Sequence, residues 1–165
     1  MKPRVLWIED SAQFELASLV GPIYYDGNYD LDIAEDVTKA IRLMSAIRYD
    51  VLIVDVRLPP GIDHHWRKMY EKAGSDKVRA HLGLRLLGWL LKQEDHIFHE
   101  TPPSWVLPAH IAVFTVESRK EIGKCLDDYG VTLYNQKSAG HADTILLEMI
   151  RELLARNGNG ARLNS

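Results

Sequence analysis

Asp55 ends a run of four apolar residues, Val51 to Val54, and is followed by Val56, Arg57 and the turn Leu58-Pro59-Pro60-Gly61. A carboxylate in that position can attack phosphorus or ligate a hard cation. Read alone, it serves equally well to cap the turn. The arrangement recurs along the chain: Arg4 to Ile8 ends in Glu9-Asp10, His110 to Phe114 ends in Thr115, and Val131 to Tyr134 is soon followed by Lys137. Three carboxylates gathered at one place raise each other's pKa unless a cation neutralises them. Mg²⁺ is the simplest such cation, because it takes one or two carboxylates plus water and phosphate oxygens. A hydroxyl (Thr115) and an ammonium (Lys137) opposite it would stabilise a phosphoryl group in transfer. With Asp55 as the nucleophile, the product is an aspartyl phosphate.

These residues meet only if their strands share an edge. The run Val51 to Val54 reads as a central parallel strand buried on both faces. Arg4 to Ile8 and His110 to Phe114 read the same way, and Tyr29 to Ala34 alternates as a wetter outer strand. Between them the spacing predicts helices: Ala12 to about Val20, capped by Ser11 and stopped by Gly21-Pro22; one capped by Asp36 with Val37, Ala40, Ile41, Met44 and Ile47 on one stripe; Leu82 to Leu91; one carrying Ile122, Cys125, Leu126 and Tyr129 and ending at Gly130; and a last one with Ile145, Leu146, Met149, Ile150, Leu153 and Leu154 on its apolar face. Five strands alternating with five helices predict an α/β fold. It is a doubly wound, five-stranded parallel sheet, flavodoxin-like with order 2-1-3-4-5 and helices on both faces. In that order strands one, three, four and five are neighbours, and ligands bind at their carboxyl ends.

The 165 residues predict one domain, 1–156, with insertions near 62–81 and 93–109 and a flexible Gly/Asn tail at 157–165. In the first insertion Trp66, Met69, Tyr70 and Ala73 fall at helical spacing, with Gly74 as the C-cap. The second carries Pro102, Pro103, Pro108 and Trp105, and its length marks it as functional or partner-facing. A net charge of −3 argues against direct nucleic-acid binding and against an acidic-lipid surface. One cysteine excludes an internal disulfide, no signal-like segment leads the chain, and no apolar run approaches the roughly 20 residues that span a bilayer, so a cytoplasmic, soluble protein is expected.

Taken together, Glu9-Asp10, Asp55 with Pro59 four residues on, Thr115 and Lys137, each following its own strand, resemble the receiver domain of response regulators in two-component signalling. Tyr134, three residues before Lys137, matches that family's aromatic switch, and Gly83 to Leu91 (GLRLLGWLL) resembles its third helix. The resemblance covers nearly the whole chain apart from the insertions. It implies that Asp55 accepts phosphate from a histidine kinase or phosphotransfer protein in a phosphorelay. It further implies that Asp10, Asp55 and the backbone carbonyl of Arg57 ligate Mg²⁺, with Glu9 acting through water. Thr115 and Tyr134 would form the switch, and Arg57 and Glu117 would flank the path of attacking water. Output would pass to a downstream protein partner by docking, and the resemblance leaves room for a homodimer.

Two features depart from the family pattern. Ser138 stands where a proline usually follows the lysine, and the insertion after Asp55 enlarges a normally short connection. Among the other chemistry-bearing residues, His64, His65 and His81 invite a zinc reading, but adjacent histidines diverge on a helix and solvated side chains explain them better. Cys125 reads as a buried structural thiol. Trp66 and Trp89 read as core, while Trp105 is either core or a partner contact. Three functions compete: a stand-alone phosphorylatable receiver, which is not an enzyme beyond its own phosphorylation and dephosphorylation; a receiver-like scaffold that binds partners without phosphorylation, its insertion occupying the acidic pocket; and a Mg²⁺-dependent phosphohydrolase. The last is disfavoured because Arg57 stands where a second acid/base aspartate is needed.

Overall fold

Val51–Val54 (β3) lies at the centre of a five-stranded parallel sheet and pairs on one side with Arg4–Ile8 (β1) and on the other with Ile111–Thr115 (β4). Asp30–Ala34 (β2) and Leu133–Gln136 (β5) close the two edges, giving the order β2-β1-β3-β4-β5 anticipated from the sequence. The computed structural model describes residues 1–76, 80–92 and 97–163; residues 77–79 and 93–96 of the expected insertions and 164–165 of the expected tail lie outside the described residues.

Every residue of β3 and β4 is buried, as continuous apolar runs between two helical layers require. On one face of the sheet Leu6, Ile8, Leu52, Val54, Ile111 and Val113 meet Val37–Ala46 (α2), Leu82–Leu90 (α4) and Arg119–Tyr129 (α5). On the other, Val5, Trp7, Val51, Ile53, Ala112 and Phe114 meet Ile145–Leu163 (α6) and Ile23 of Gly21–Asp26 (α1). Local caps are as the sequence implies: the Asp36 carboxylate accepts from the Lys39 N–H at 2.8 Å, Ser118 and Glu121 form a capping box, and Gly130 ends α5 with φ 74°.

Several boundaries differ from expectation. The helix expected from Ala12 to Val20 is instead a series of turns and a 3₁₀ turn at Ala17–Leu19, and Gly21-Pro22, expected to stop it, opens α1. Proline suits a first helical turn because its missing N–H would have no helical partner there. The helix expected within the first insertion does form, as His64–Lys72 (α3), and brings the α-helices among the described residues to six. Asp63 caps α3 by accepting from the N–H groups of His65 (2.9 Å) and Trp66 (3.1 Å), and Gly74 follows it at φ 70°. β5 begins two residues later than expected, at Leu133. The last helix runs on to Leu163, through most of the stretch expected to be a tail.

The described part of the second insertion is no free loop. Ile97, Phe98 and Val106 are buried, and Trp105 packs on Tyr49 with ring centroids 6.3 Å apart. His65 is not a solvated surface histidine, since its Nε2 hydrogen-bonds the Ile97 carbonyl; His64 is exposed. Cys125 is half-buried rather than enclosed.

Candidate functional site

The sheet ladder continues past the strand ends and places the chemistry. Asp55 N–H donates to the Ile8 carbonyl (3.1 Å), Glu9 N–H to Ala34 (2.9 Å) and Lys137 N–H to Thr115 (2.8 Å). Parallel register therefore delivers Glu9-Asp10, Asp55, Thr115 and Lys137 to one edge, as the strand order requires. A cleft of about 580 Å³ opens there, lined by Glu9, Asp10, Asp55, Arg57, Lys137 and His141 among others.

Carboxylate oxygens of Glu9, Asp10 and Asp55 lie within 4.8 Å of one another. Glu9 and Asp55 are 1% and 4% exposed, while Asp10 faces solvent. Lys137 bridges the two buried acids, with Nζ donating to Asp55 Oδ2 at 3.0 Å and to Glu9 Oε2. The other Glu9 oxygen accepts from the Ser11 N–H at 3.2 Å, and Asp55 Oδ1 from the Arg57 N–H at 3.3 Å. Burial pushes the Glu9 carboxyl up, and Asp55 pushes it further, to about 8; Lys137 offsets only part of this. Burial works against the Lys137 charge, but Asp55 and Glu9 outweigh it and hold the ammonium above its ordinary value. The site is thus short of positive charge. Three oxygen donors around one space, with a lysine unable to balance them, fit a small hard dication.

Thr115 is fully buried, and its Oγ1 accepts from the Glu117 N–H at 3.4 Å. Glu117 Oε1 is held by Arg57 Nε at 2.6 Å, which joins the two residues expected to flank the path of attacking water. The Tyr134 hydroxyl donates to the Glu117 carbonyl, and the Arg119 guanidinium sits 5.6 Å from the Tyr134 ring centroid. The peptide bond between Lys137 and Ser138 is trans.

Backbone packing against the acceptor is close. A Cβ on Gly83 would lie 1.9 Å from the Asp55 carbonyl oxygen, so α4 can seat against this strand end only with glycine there. The described residues of the insertion leave the cleft open and contribute Tyr70 and His81 to its wall.

Two histidines line this edge in roles that sequence reasoning missed. His81, read only as a solvated or zinc-binding histidine, places Nε2 3.5 Å from Glu117 Oε1. Its left-handed backbone, φ 45°, makes that reach, and no local pattern announces it. His141 packs edge-on against Phe114 at 5.8 Å. Among the described residues no group of histidines is disposed to hold a metal ion, so the zinc reading of His64, His65 and His81 has no geometric support.

No protein-family model and no curated protein matches the sequence. Solved structures do match the fold. A CheY-like response regulator receiver domain protein from Methanospirillum hungatei JF-1 superposes with a TM-score of 0.63 at 17% identity, over 97% of this chain and 99% of that one. The chain has the fold of a response regulator receiver domain. A receiver domain of a Francisella response regulator gives 0.59 at 21% identity, over 94% and 99% of the two chains. A response regulator from Thermotoga maritima gives 0.58 at 14% identity, again over 94% and 99%. In this chain the acids and Lys137 stand at the carboxyl edge of that sheet.

Proposed function

We propose that this receiver accepts a phosphoryl group on Asp55 from a histidine kinase or phosphotransfer protein and passes its state to a protein partner by docking. The observation that carries the reading is Lys137 Nζ hydrogen-bonded to both Asp55 and Glu9, with Asp10 beside them. Asp10, Asp55 and the Arg57 carbonyl would hold Mg²⁺, with Glu9 acting through water. A bound Mg²⁺ would neutralise charge on the phosphoryl oxygens.

Asp55 supplies the nucleophilic oxygen. Its lone pair forms the new P–O bond as the P–N bond to the donor imidazole breaks, and the electron pair of that bond leaves with the ring. Lys137 faces the developing charge on one phosphoryl oxygen, and the Thr115 hydroxyl turns toward another. Tyr134 follows Thr115, altering the face formed by α5, β5 and α6. Hydrolysis by the same site returns Asp55 to its carboxylate, so the protein is a signalling domain that acts only on itself. No described helix is long and apolar enough to cross a membrane.

The deciding experiment is intact-mass analysis after incubation with acetyl phosphate and Mg²⁺. One added phosphate is expected on the wild type and none on Asp55→Asn. Equal labelling of the two would remove Asp55 from its role, and labelling of neither would favour a phosphorylation-independent scaffold.

A further inference from the structure

The two insertions meet each other. His65 Nε2 bonds the Ile97 carbonyl, Trp66 and Phe98 lie 5.6 Å apart at their ring centroids, and Trp89 Nε1 donates to the Glu100 carbonyl at 2.9 Å. Together with α2 they enclose a second cleft of about 580 Å³, separate from the acidic one. That volume falls in the range of small-molecule sites.

Ile41, Trp66 and Phe98, all buried, form its apolar part, and Ile62 stands at it with 70% exposure, one of the few large hydrophobic side chains so exposed. Arg42 and Glu100 also line it. Both are exposed, and neither the Arg42 guanidinium nor the Glu100 carboxylate has a hydrogen bond or ion pair among the described residues. Asp63 lines the cleft as well, its carboxylate engaged by the His65 and Trp66 N–H groups; beside it, an apolar floor, one unpaired guanidinium and one unpaired carboxylate are complementary to a molecule carrying the same three features. A simple carboxylate would leave Glu100 facing a like charge, and a simple amine would do the same to Arg42.

We infer that this cleft binds a free α-amino acid with an apolar side chain, its carboxylate on Arg42, its ammonium on Glu100 and its side chain over Ile41, Ile62 and Phe98. The site is joined to the turn that follows Asp55. Thr38, on its wall, donates its hydroxyl to the Pro60 carbonyl at 2.7 Å and accepts from the Asp63 N–H at 3.0 Å. The inference does not depend on phosphoryl transfer at Asp55.

Calorimetric titration of the full chain with L-phenylalanine and L-leucine tests it. Saturable binding of at least one is expected, about tenfold or more weaker for the corresponding amide, which lacks the carboxylate, and for the deaminated acid, which lacks the ammonium. Arg42→Glu and Ile62→Asp, both at exposed positions, should weaken it as much while leaving the circular dichroism spectrum unchanged. Absence of saturable binding by either amino acid, equal affinity for the amide or deaminated analogue, or undiminished binding by folded Arg42→Glu would overturn the assignment.

Discussion

Lys137 Nζ and Asp55 Oδ2 lie 3.0 Å apart although 82 residues separate them in the chain. The contact is made by the sheet: Lys137 leaves β5 next to Thr115, whose strand pairs with β3 just before Asp55. Phe114 supports the ammonium from below, with its ring centroid 5.6 Å from Nζ. Anything that shifts β3 relative to β4 or β5 therefore acts on the chemistry.

Gly83→Ala probes that seating most directly. Its methyl group would meet the Asp55 carbonyl oxygen at 1.9 Å, a main-chain atom that cannot rotate away. A loss of about 1–3 kcal/mol or more is expected in urea unfolding, with phosphate uptake at Asp55 reduced alongside. Ala at Gly158, which has open space around it, is the control and should cost far less.

Glu9 should make the stability of the metal-free protein depend on pH. Its folded value, about 8, lies above the ordinary 4.5, so the folded state holds a proton that the unfolded state has released between those values. The favourable contribution is complete below about 4.5 and is lost as pH rises through about 8. Wild type should thus lose stability relative to Glu9→Gln between pH 5 and 9, by an amount on the order of a few kcal/mol, read from urea midpoints at each pH without divalent ions. Parallel pH profiles for the two proteins would refute the buried, charge-short site.

Divalent-ion binding should follow the acids and not the histidines. Asp10→Ala is expected to weaken Mg²⁺ binding by about tenfold or more, whereas His64→Ala with His65→Ala should leave it unchanged. Trp7, fully buried three residues before Asp10, is a natural fluorescence reporter for the titration. Control of affinity by the histidine pair would invert the reading of the cleft.

Arg57 and Glu117 bear on how long a phosphoryl group survives. Arg57 is 43% exposed, so the pair adds only about 0–1 kcal/mol to stability and its value lies in screening the cleft from water. Arg57→Ala with Glu117→Ala should speed loss of phosphate several-fold, and the cycle of single and double variants should be non-additive. Intact mass followed over time measures it; additive or absent effects would leave the pair without a gating role.

Much of this molecule is written locally. Continuous apolar runs encode strands buried on both faces, the 3.6-residue stripes encode the helices, and the alternation of the two encodes a parallel sheet with this strand order, because burial pattern is a property of neighbouring residues. The acids at the ends of β1 and β3 and the lysine beyond β5 were legible for the same reason. Tertiary structure alone decided what depends on distant partners. Gly21-Pro22 carries both a stop and a start signal, and the packing of Ile23 against the sheet settled it as a start. His81 reached Glu117 through a backbone conformation that its neighbours do not specify. The described parts of the two insertions, polar and proline-rich when read singly, are held against each other through His65, Trp66, Ile97 and Phe98. Sequence spacing sets which face a side chain takes, but only the closed fold sets which distant chain segment that face will meet.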